Sequence, residues 1–360
     1  MKNTDTCPKQ LNAIDFFCGA GGMTFGLKLA GINVLAGIDI DEECRETYEL
    51  NNQNSIFIHA DIKKLTETDL QNKIDIKRND DSMIFIGCSP CQYWTKINTH
   101  KKKSTETKNL LNEFRRFVDY FRPGYIFIEN VPGLSGKKEE SNLSTFLEFL
   151  EINDYKYDFS IINSNHYGVP QNRKRFILIA SRVLKNIKIP PPVKDDSLVV
   201  KNFIGEHKGF SKIEAGYKDE TNNLHTAASL SEKNLLRLKK TPPDGGNRWS
   251  WKDDPELQIN AYKGKDTIFR DVYGRIYWNK PAPTITTKFI RTSSGRFSHP
   301  EEHRGLSLRE GATLQTFPNE YVFRGPNIDS IARQIGNAVP PQLARCIGCA
   351  LLKETINADI

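Results

Sequence analysis

Three short polar stretches beside apolar runs hold the groups with chemical potential: Cys91 in Cys88-Ser89-Pro90-Cys91-Gln92, Glu129 in Glu129-Asn130-Val131, and two arginines in Gln171-Asn172-Arg173-Lys174-Arg175. A thiolate attacks electron-poor carbon, a carboxyl group donates a proton, and a guanidinium holds an oxygen on which charge develops. This set suits a ring carbon too poor in electrons to accept an alkyl group directly. Addition of sulfur to the neighbouring carbon breaks aromaticity and turns the first carbon into an enamine carbon. A carboxyl group at the adjoining ring nitrogen makes that addition feasible. Two other readings of Cys88 and Cys91 stand beside it, a redox pair and half of a zinc site, although no second pair lies at zinc-ribbon spacing. Cys346 and Cys349 fall in an amphipathic C-terminal pattern and read as packing residues.

A second group of residues suits a nucleoside ligand. Asp15-Phe16-Phe17-Cys18-Gly19-Ala20-Gly21-Gly22 ends an apolar run and precedes a helical pattern. Glycines at such a turn allow close approach to the backbone, and a helix N-terminus offers free N–H groups. Asp39 closes the next apolar run, followed by Ile40, and Asp61 follows the third, ahead of Ile62. Carboxylates there match a ribose diol and an adenine amine. Taken singly, each aspartate reads better as a turn or helix-capping residue than as a ligand.

The elements that position these groups are legible as alternation. Apolar runs at 12–17, 33–39, 55–59, 83–87, 125–130 and 175–180 have the length and β-rich content of buried strands. Helical patterns at 23–30, 42–50, 109–121 and 143–151 separate them. The fold expected is α/β, a mostly parallel Rossmann-like sheet with helices on both faces and ligands at the carboxyl ends of the strands. The two arginines of 171–175 are expected on one face of a strand by the period of two. Beyond residue 180, Pro-rich and Gly-rich sequence implies a linker and a smaller, loop-rich second domain. The boundaries expected are 1–190 plus 300–360 for the catalytic and cofactor-binding domain and 191–299 for the second.

Charge follows the same division. Residues 191–300 carry 19 Lys and Arg against 13 Asp and Glu, six of the net +7 of the 360-residue chain. Between 270 and 296 lie Arg270, Arg275, Lys280, Lys288, Arg291 and Arg296 against Asp271 alone, interleaved with aromatic residues. That composition fits a polyanion surface as well as a solvated basic face. No apolar stretch reaches membrane-spanning length, the N-terminus lacks a signal-peptide core, and seven scattered cysteines do not form a secreted disulfide framework. A reduced, intracellular chain is expected.

Taken together in this order, the motifs resemble those of the DNA (cytosine-5) methyltransferase family of the bacterial restriction-modification type. DFFCGAGG is similar to its cofactor loop, SPCQ to its nucleophile motif, ENV to its acid motif and QNRKR to its Gln-x-Arg-x-Arg. REGATLQTFP (309–318) and QIGNAVPP (334–341) resemble the motifs that close the cofactor domain. The match runs from about 11 to about 350 outside the variable middle.

The resemblance implies transfer of a methyl group from S-adenosyl-L-methionine to carbon 5 of a flipped-out cytosine in a specific duplex sequence. Cys91 would be the nucleophile, Glu129 the acid at N3, Arg173 the partner of O2 and Arg175 a support. Phe17, Cys18, Gly19, Ala20, Gly21, Gly22, Asp39, Ile40, Asp61, Ile62, Asn337 and Ala338 would hold the cofactor, and no metal is implied. Gln92, Lys101, Lys102 and Lys103 lie in a segment resembling the loop that closes over DNA. Arg270, Arg275, Thr284, Lys288 and Arg291 would contact DNA from the 191–299 segment, where PAPTIT (281–286) resembles the recurrent motif of the target-recognition domain. Cys88, Ser89 and Asp39 depart from the commoner family residues without removing a required group. The partners implied are double-stranded DNA and a cognate restriction endonuclease, with no membrane, for a monomer in the bacterial cytoplasm at the nucleoid. The alternatives are a tRNA cytosine-5 methyltransferase of the same fold, an inactive DNA-binding relative, and a dithiol redox protein.

Overall fold

The computed structural model describes residues 10–89, 109–136, 142–221, 223–265 and 268–358. In chain order its main elements are β1 Asn12–Phe16, α1 Gly22–Leu29, β2 Asn33–Asp39, α2 Arg45–Asn51, β3 Ile56–His59, α3 Glu67–Lys73, β4 Met83–Gly87, α4 Leu110–Phe121, β5 Tyr125–Asn130, α5 Leu143–Ile152, β6 Lys156–Asn163, β7 Gln171–Asn172, β8 Lys174–Ser181, α6 Glu232–Lys240, β9 Ala282–Pro283, α7 Leu308–Leu314, α8 Ile328–Asn337 and α9 Pro341–Ala358. They fall into two compact units. The first comprises Met1–Asn163, Lys174–Val193 and Pro341–Ile360, and the second Ser164–Arg173 and Lys194–Pro340. The second unit thus takes in residues 164–173 and 300–340, both outside the 191–299 expected from composition. Pairing explains the first of these: β7 lies parallel to β9, Gln171 opposite Ala282 and Asn172 opposite Pro283. The Gln171 side chain also donates to Gln315 Oε1 at 2.9 Å and accepts from Ile285 N at 2.8 Å.

The first unit is built on a seven-stranded sheet in the order β3-β2-β1-β4-β5-β8-β6. The pairs from β3 to β5 are parallel, whereas β8 runs antiparallel to both β5 and β6. Every residue of β4 and β5 is buried, which is why both read as unbroken apolar runs. The strand that periodicity does not reveal is β6, KYDFSIIN. It is an edge strand with a largely exposed or half-exposed surface, so polar residues replace the apolar run.

Helices cover the sheet with the expected spacing. In α4 the buried residues are Leu110, Leu111, Phe114, Phe117, Val118 and Phe121, an i, i+3, i+4, i+7 stripe. Phe114 and Phe117 meet Phe16 at ring-centroid distances of 5.4 and 5.1 Å. On α1, Gly26 marks a close helix crossing: a Cβ there would lie 2.2 Å from Pro341 O and 2.6 Å from Ala344 Cβ of α9. Gly348 repeats the device from the opposite side, its Cβ position being 2.9 Å from Ala30 Cβ. Of the C-terminal cysteines, Cys346 is half-buried and Cys349 exposed, so the packing role expected of both does not extend to Cys349.

The second unit has less regular structure, and buried arginines organise its loops. Arg275, Arg304 and Arg309 are at most 1% exposed. Arg304 binds Glu310 at 2.7 and 2.8 Å and Glu302 at 3.0 Å through both Nε and Nη2. Burial alone would raise the Glu310 carboxyl, but the Arg304 charge and hydrogen bonds overcome it and hold it at about 2. His299, Glu302 and Glu310 place potential ligand atoms within 4.8 Å of one another, and Arg304 is already paired with both carboxylates of that group. Among the described residues no helix is long and apolar enough to cross a membrane.

Candidate active site

The loop after β1 has the geometry of a backbone cradle. Gly19 and Gly21 have φ of +50° and +84°, and Phe17 shares the left-handed region at +66°. A Cβ on Gly19 would meet nothing within 4 Å, so the backbone conformation and not crowding favours glycine there. Gly21 precedes α1 without any side-chain cap, leaving the first N–H groups of the helix without a side-chain acceptor. Cys18, Ala20 and Gly22, the first residue of α1, are all buried.

Asp39 ties this loop to β2. Its Oδ2 accepts from Gly19 N at 2.7 Å and its Oδ1 from Asp41 N at 2.9 Å. Burial raises its carboxyl above the ordinary range, and these backbone donors partly offset the rise. The next residue, Ile40, is 62% exposed, an uncovered apolar side chain at the strand's carboxyl end. Asp61 is half-buried in the turn after β3, where Oδ1 accepts from Lys63 N at 3.0 Å. Ile62 differs from expectation, because its side chain is 5% exposed and belongs to the main hydrophobic core. Its backbone is equally committed, the carbonyl accepting from Arg116 at 2.8 Å.

One residue absent from the sequence-based set stands out beneath the loop. Asp15, fully buried at the end of β1, accepts from Thr24 Oγ1 at 2.7 Å, and Thr24 continues to Tyr48 and Ser55 at 3.2 and 2.7 Å. Its other oxygen, Oδ1, meets no donor among the described residues. Burial lifts the carboxyl to about 7, with the neighbouring Asp39 charge adding to the rise against the Thr24 bonds. The available signal was a carboxylate inside an otherwise apolar strand.

Where the end of β5 meets the start of β8, the acid and one arginine come together. Arg175 Nε lies 2.8 Å from Glu129 Oε1, with side chains 13% and 10% exposed. Register explains the pair: Glu129 opposes Ile177, so Arg175, two residues away, is its diagonal neighbour on the same face. The adjacent Asn130 donates from Nδ2 to Ser89 Oγ at 3.1 Å and to Ser89 O at 3.3 Å, while its Oδ1 accepts from Val131 N at 2.9 Å. Cys88 N donates to Phe16 O at 3.3 Å. Both ends of the nucleophile motif's approach are therefore anchored to the sheet. Cys91, Gln92, Lys101, Lys102 and Lys103 lie outside the described residues.

Arg173 does not share a strand face with Arg175. The strand is interrupted there, β7 ending at Asn172 and β8 starting at Lys174, because Ser164 N and Oγ both bond Arg173 O at 2.9 and 3.0 Å. The side chain of Arg173 is 2% exposed and donates to Ile285 O at 3.1 Å, Gly336 O at 3.4 Å and Ala338 O at 3.0 Å. It is a clamp on the second unit's backbone, which corrects its expected role at the ring oxygen. Arg173→Ala is expected to lower stability by about 3 kcal/mol or more, because several buried carbonyls lose a charged donor. Urea unfolding followed by fluorescence checks this. A wild-type midpoint with lost activity would return Arg173 to the reacting centre.

The remaining expected residues separate into surface and scaffold. Asn337 is exposed at the end of α8, and Ala338 presents its carbonyl to Arg173. Arg275, expected to face DNA, is fully buried instead. It donates to Leu238 O, Thr241 O and His299 O at 2.9, 3.1 and 2.8 Å, and burial lowers its guanidinium to about 10. Thr284 is half-buried and donates to Asn172 O at 2.8 Å. Arg291 is exposed but holds both oxygens of Asp329 at 2.7 Å. Arg270 and Lys288 are exposed.

Comparisons with known proteins bear on the family and the fold. The family model of C-5 cytosine-specific DNA methylases matches residues 11–353. The type II methylase M.HgiDII of Herpetosiphon aurantiacus is 38% identical over 93% of this chain and 93% of its own length. The type II methyltransferase M.Sau96I of Staphylococcus aureus is 30% identical, with 96% and 76% of the two chains covered. In three dimensions, a prophage-encoded DNA modification methyltransferase from E. coli has the same fold, with a TM-score of 0.70 at 22% identity over 97% of this chain and 100% of that one.

Proposed function

This chain belongs to the C-5 cytosine-specific DNA methylase family, and we propose that it methylates carbon 5 of a flipped-out cytosine in a specific duplex sequence through a covalent bond between Cys91 and carbon 6. The observation that carries the reading is the Glu129–Arg175 pair at 2.8 Å, beside the segment that Asn130 tethers at Ser89 two residues before Cys91. In this mechanism the Cys91 thiolate adds to carbon 6 while the Glu129 carboxyl group hydrogen-bonds or protonates N3. Arg175 orients Glu129 and, in this reading, meets the charge that develops at O2, a role that suits it better than the buried Arg173, whose guanidinium is engaged by backbone carbonyls. Carbon 5 would then take the methyl group from the cofactor's sulfonium sulfur, which would leave as a thioether; loss of the carbon-5 proton to a base and elimination would free the Cys91 thiolate and the methylated base.

The residues after β1, β2 and β3 fit S-adenosyl-L-methionine. The Gly19–Gly21 turn and uncapped α1 suit the methionine carboxylate, Asp39 the ribose, Asp61 the adenine amine, and exposed Ile40 the adenine face. The buried Asp15 carboxyl, lifted to about 7 by burial, stands in the strand that leads into the same loop and can hold a proton there near neutral pH. When bound, the cofactor supplies the electrophilic methyl group. Phe17 and Asn337 complete the reading by family resemblance. The second unit is assigned target recognition, and the relatives' type II designation supports a modification role beside a cognate restriction endonuclease, acting as a monomer in the bacterial cytoplasm at the nucleoid. The tRNA reading is weaker, since the family model and both relatives concern DNA methylation or type II systems.

The test uses duplex DNA with fluorine on carbon 5 of the target cytosine. Fluorine cannot leave as a proton does, so chain and DNA are expected to stay joined through denaturation when S-adenosyl-L-methionine is present. Peptide mass mapping is expected to place the adduct on Cys91. Methylated fluorinated DNA released freely would sink the mechanism.

A further inference from the structure

Of the six cations between 270 and 296, three are engaged within the protein: Arg275 on buried carbonyls, Arg291 on Asp329, and Arg296 on Asp271 at 2.9 Å and Gly245 O at 2.9 Å. Lys280 sits over the Tyr277 ring at 4.0 Å. Of the six, only Arg275 is buried, and pairing with Asp329 and Asp271 occupies two more, so fewer free cations face outward than the composition suggests. What the second unit does present outward is a different feature, just N-terminal to that stretch. Ile268 and Phe269, consecutive large apolar residues, are 50% and 48% exposed, and Arg270 beside them is exposed as well.

Hydrogen bonds and ring contacts hold this tip from behind. Arg248, 3% exposed, donates to Phe269 O at 3.2 Å and to Lys265 O at 3.1 Å, and its guanidinium lies 5.3 Å from the Tyr262 ring centre. Tyr262 in turn packs on Phe269 at 5.2 Å. Phe269 has φ of +55°, a conformation that a bulky side chain adopts only when its surroundings enforce it. The enforced conformation leaves two apolar side chains half in water, flanked by exposed Lys263, Lys265 and Arg270. A protein core gains nothing from that arrangement, whereas duplex DNA offers both matching surfaces. Phosphates complement the lysines, and base edges or steps accept an apolar wedge with a bidentate arginine beside it.

We propose that Ile268, Phe269 and Arg270 form the sequence-reading tip of the second unit, with Phe269 as the wedge against the bases and Arg270 as the guanine-reading donor. The inference rests on the DNA-methylating reading above and adds the residues that set its target. Because the apolar pair carries no charge, it contributes discrimination without contributing counterion release, and Lys263 and Lys265 supply the sequence-independent attraction.

The experiment is methylation of a random-sequence duplex library with S-adenosyl-L-methionine, read by bisulfite sequencing, together with kcat/KM on the preferred site. Phe269→Gly relieves the left-handed backbone and is expected to fold at least as well as the parent, which thermal unfolding checks. It is nevertheless expected to lower kcat/KM on the preferred site by about 10-fold or more and to relax the target at one or two positions. Arg270→Lys retains the charge but loses the bidentate fork, and is expected to relax one guanine position with an unchanged salt slope. An unchanged target with kcat/KM within about twofold for both variants overturns this proposal alone. A wild-type chain that methylates no site in the library sinks the DNA-methylating reading and the proposal with it.

Discussion

Cys91→Ser is expected to reduce methyl transfer by about a thousandfold or more while S-adenosyl-L-methionine binds as before. A thiol with an ordinary pKa near about 8.5 supplies a useful thiolate fraction near neutral pH, and a hydroxyl does not. Removing a nucleophile also removes the steps that depend on it, so the loss falls on kcat and leaves ground-state binding intact. Isothermal titration with the cofactor and single-turnover methylation of duplex DNA separate the two quantities. Cys88→Ser is the control, because Cys88 N donates to Phe16 O at the end of the sheet and its substitution changes one side-chain atom. It is expected to retain activity within about tenfold. The opposite pattern would move the nucleophile to Cys88.

Glu129→Gln is expected to slow the chemical step by about a hundredfold to ten-thousandfold, the range for loss of a positioned general acid. Volume hardly changes, so duplex affinity is expected to stay near that of the parent. The substitution also leaves Arg175 without its charged partner in a pocket where both side chains are nearly buried. For that reason Glu129→Gln and Arg175→Met are expected to be strongly non-additive, the double variant losing little beyond either single one. A normal single-turnover rate for Glu129→Gln would remove the carboxyl group from the mechanism. Additive losses would instead make the pair two independent devices.

The parts of this arrangement that could be read in the sequence are those where one physical requirement dominates. Strands β4 and β5 are buried on both faces and so must be apolar throughout, which makes MIFIG and YIFIEN unambiguous. The α4 stripe is equally plain, since only a helix buries residues at 110, 114, 117, 118 and 121 on one side. β6 escaped because an edge strand has no such requirement. At the site, Glu129 and the glycine loop were evident, but the division of labour between Arg173 and Arg175 was not. A period of two presumes an unbroken strand, and the bonds from Ser164 to Arg173 O break it. Arg275 shows the same limit from another side. Charge counts treat every arginine as solvated, whereas this one is consumed by loop carbonyls that no pattern announces. Asp15 was in view, quoted in the glycine-loop motif, yet its importance lies in a missing hydrogen-bond donor, which only a three-dimensional arrangement reveals.

The crossing of α1 and α9 at Gly26 and Pro341 has a consequence for how the chain is made. All strands of the seven-stranded sheet lie between residues 12 and 181, but the helix that packs on α1 begins at residue 341. About 160 residues of other sequence leave the ribosome in between, which takes roughly ten to thirty seconds at elongation rates of about 5 to 20 residues per second. Throughout that interval the face of α1 around Gly26 and Leu27 waits uncovered on a nearly complete sheet. The packing of α1 therefore cannot be completed until α9 emerges, although every strand of the sheet is by then already made.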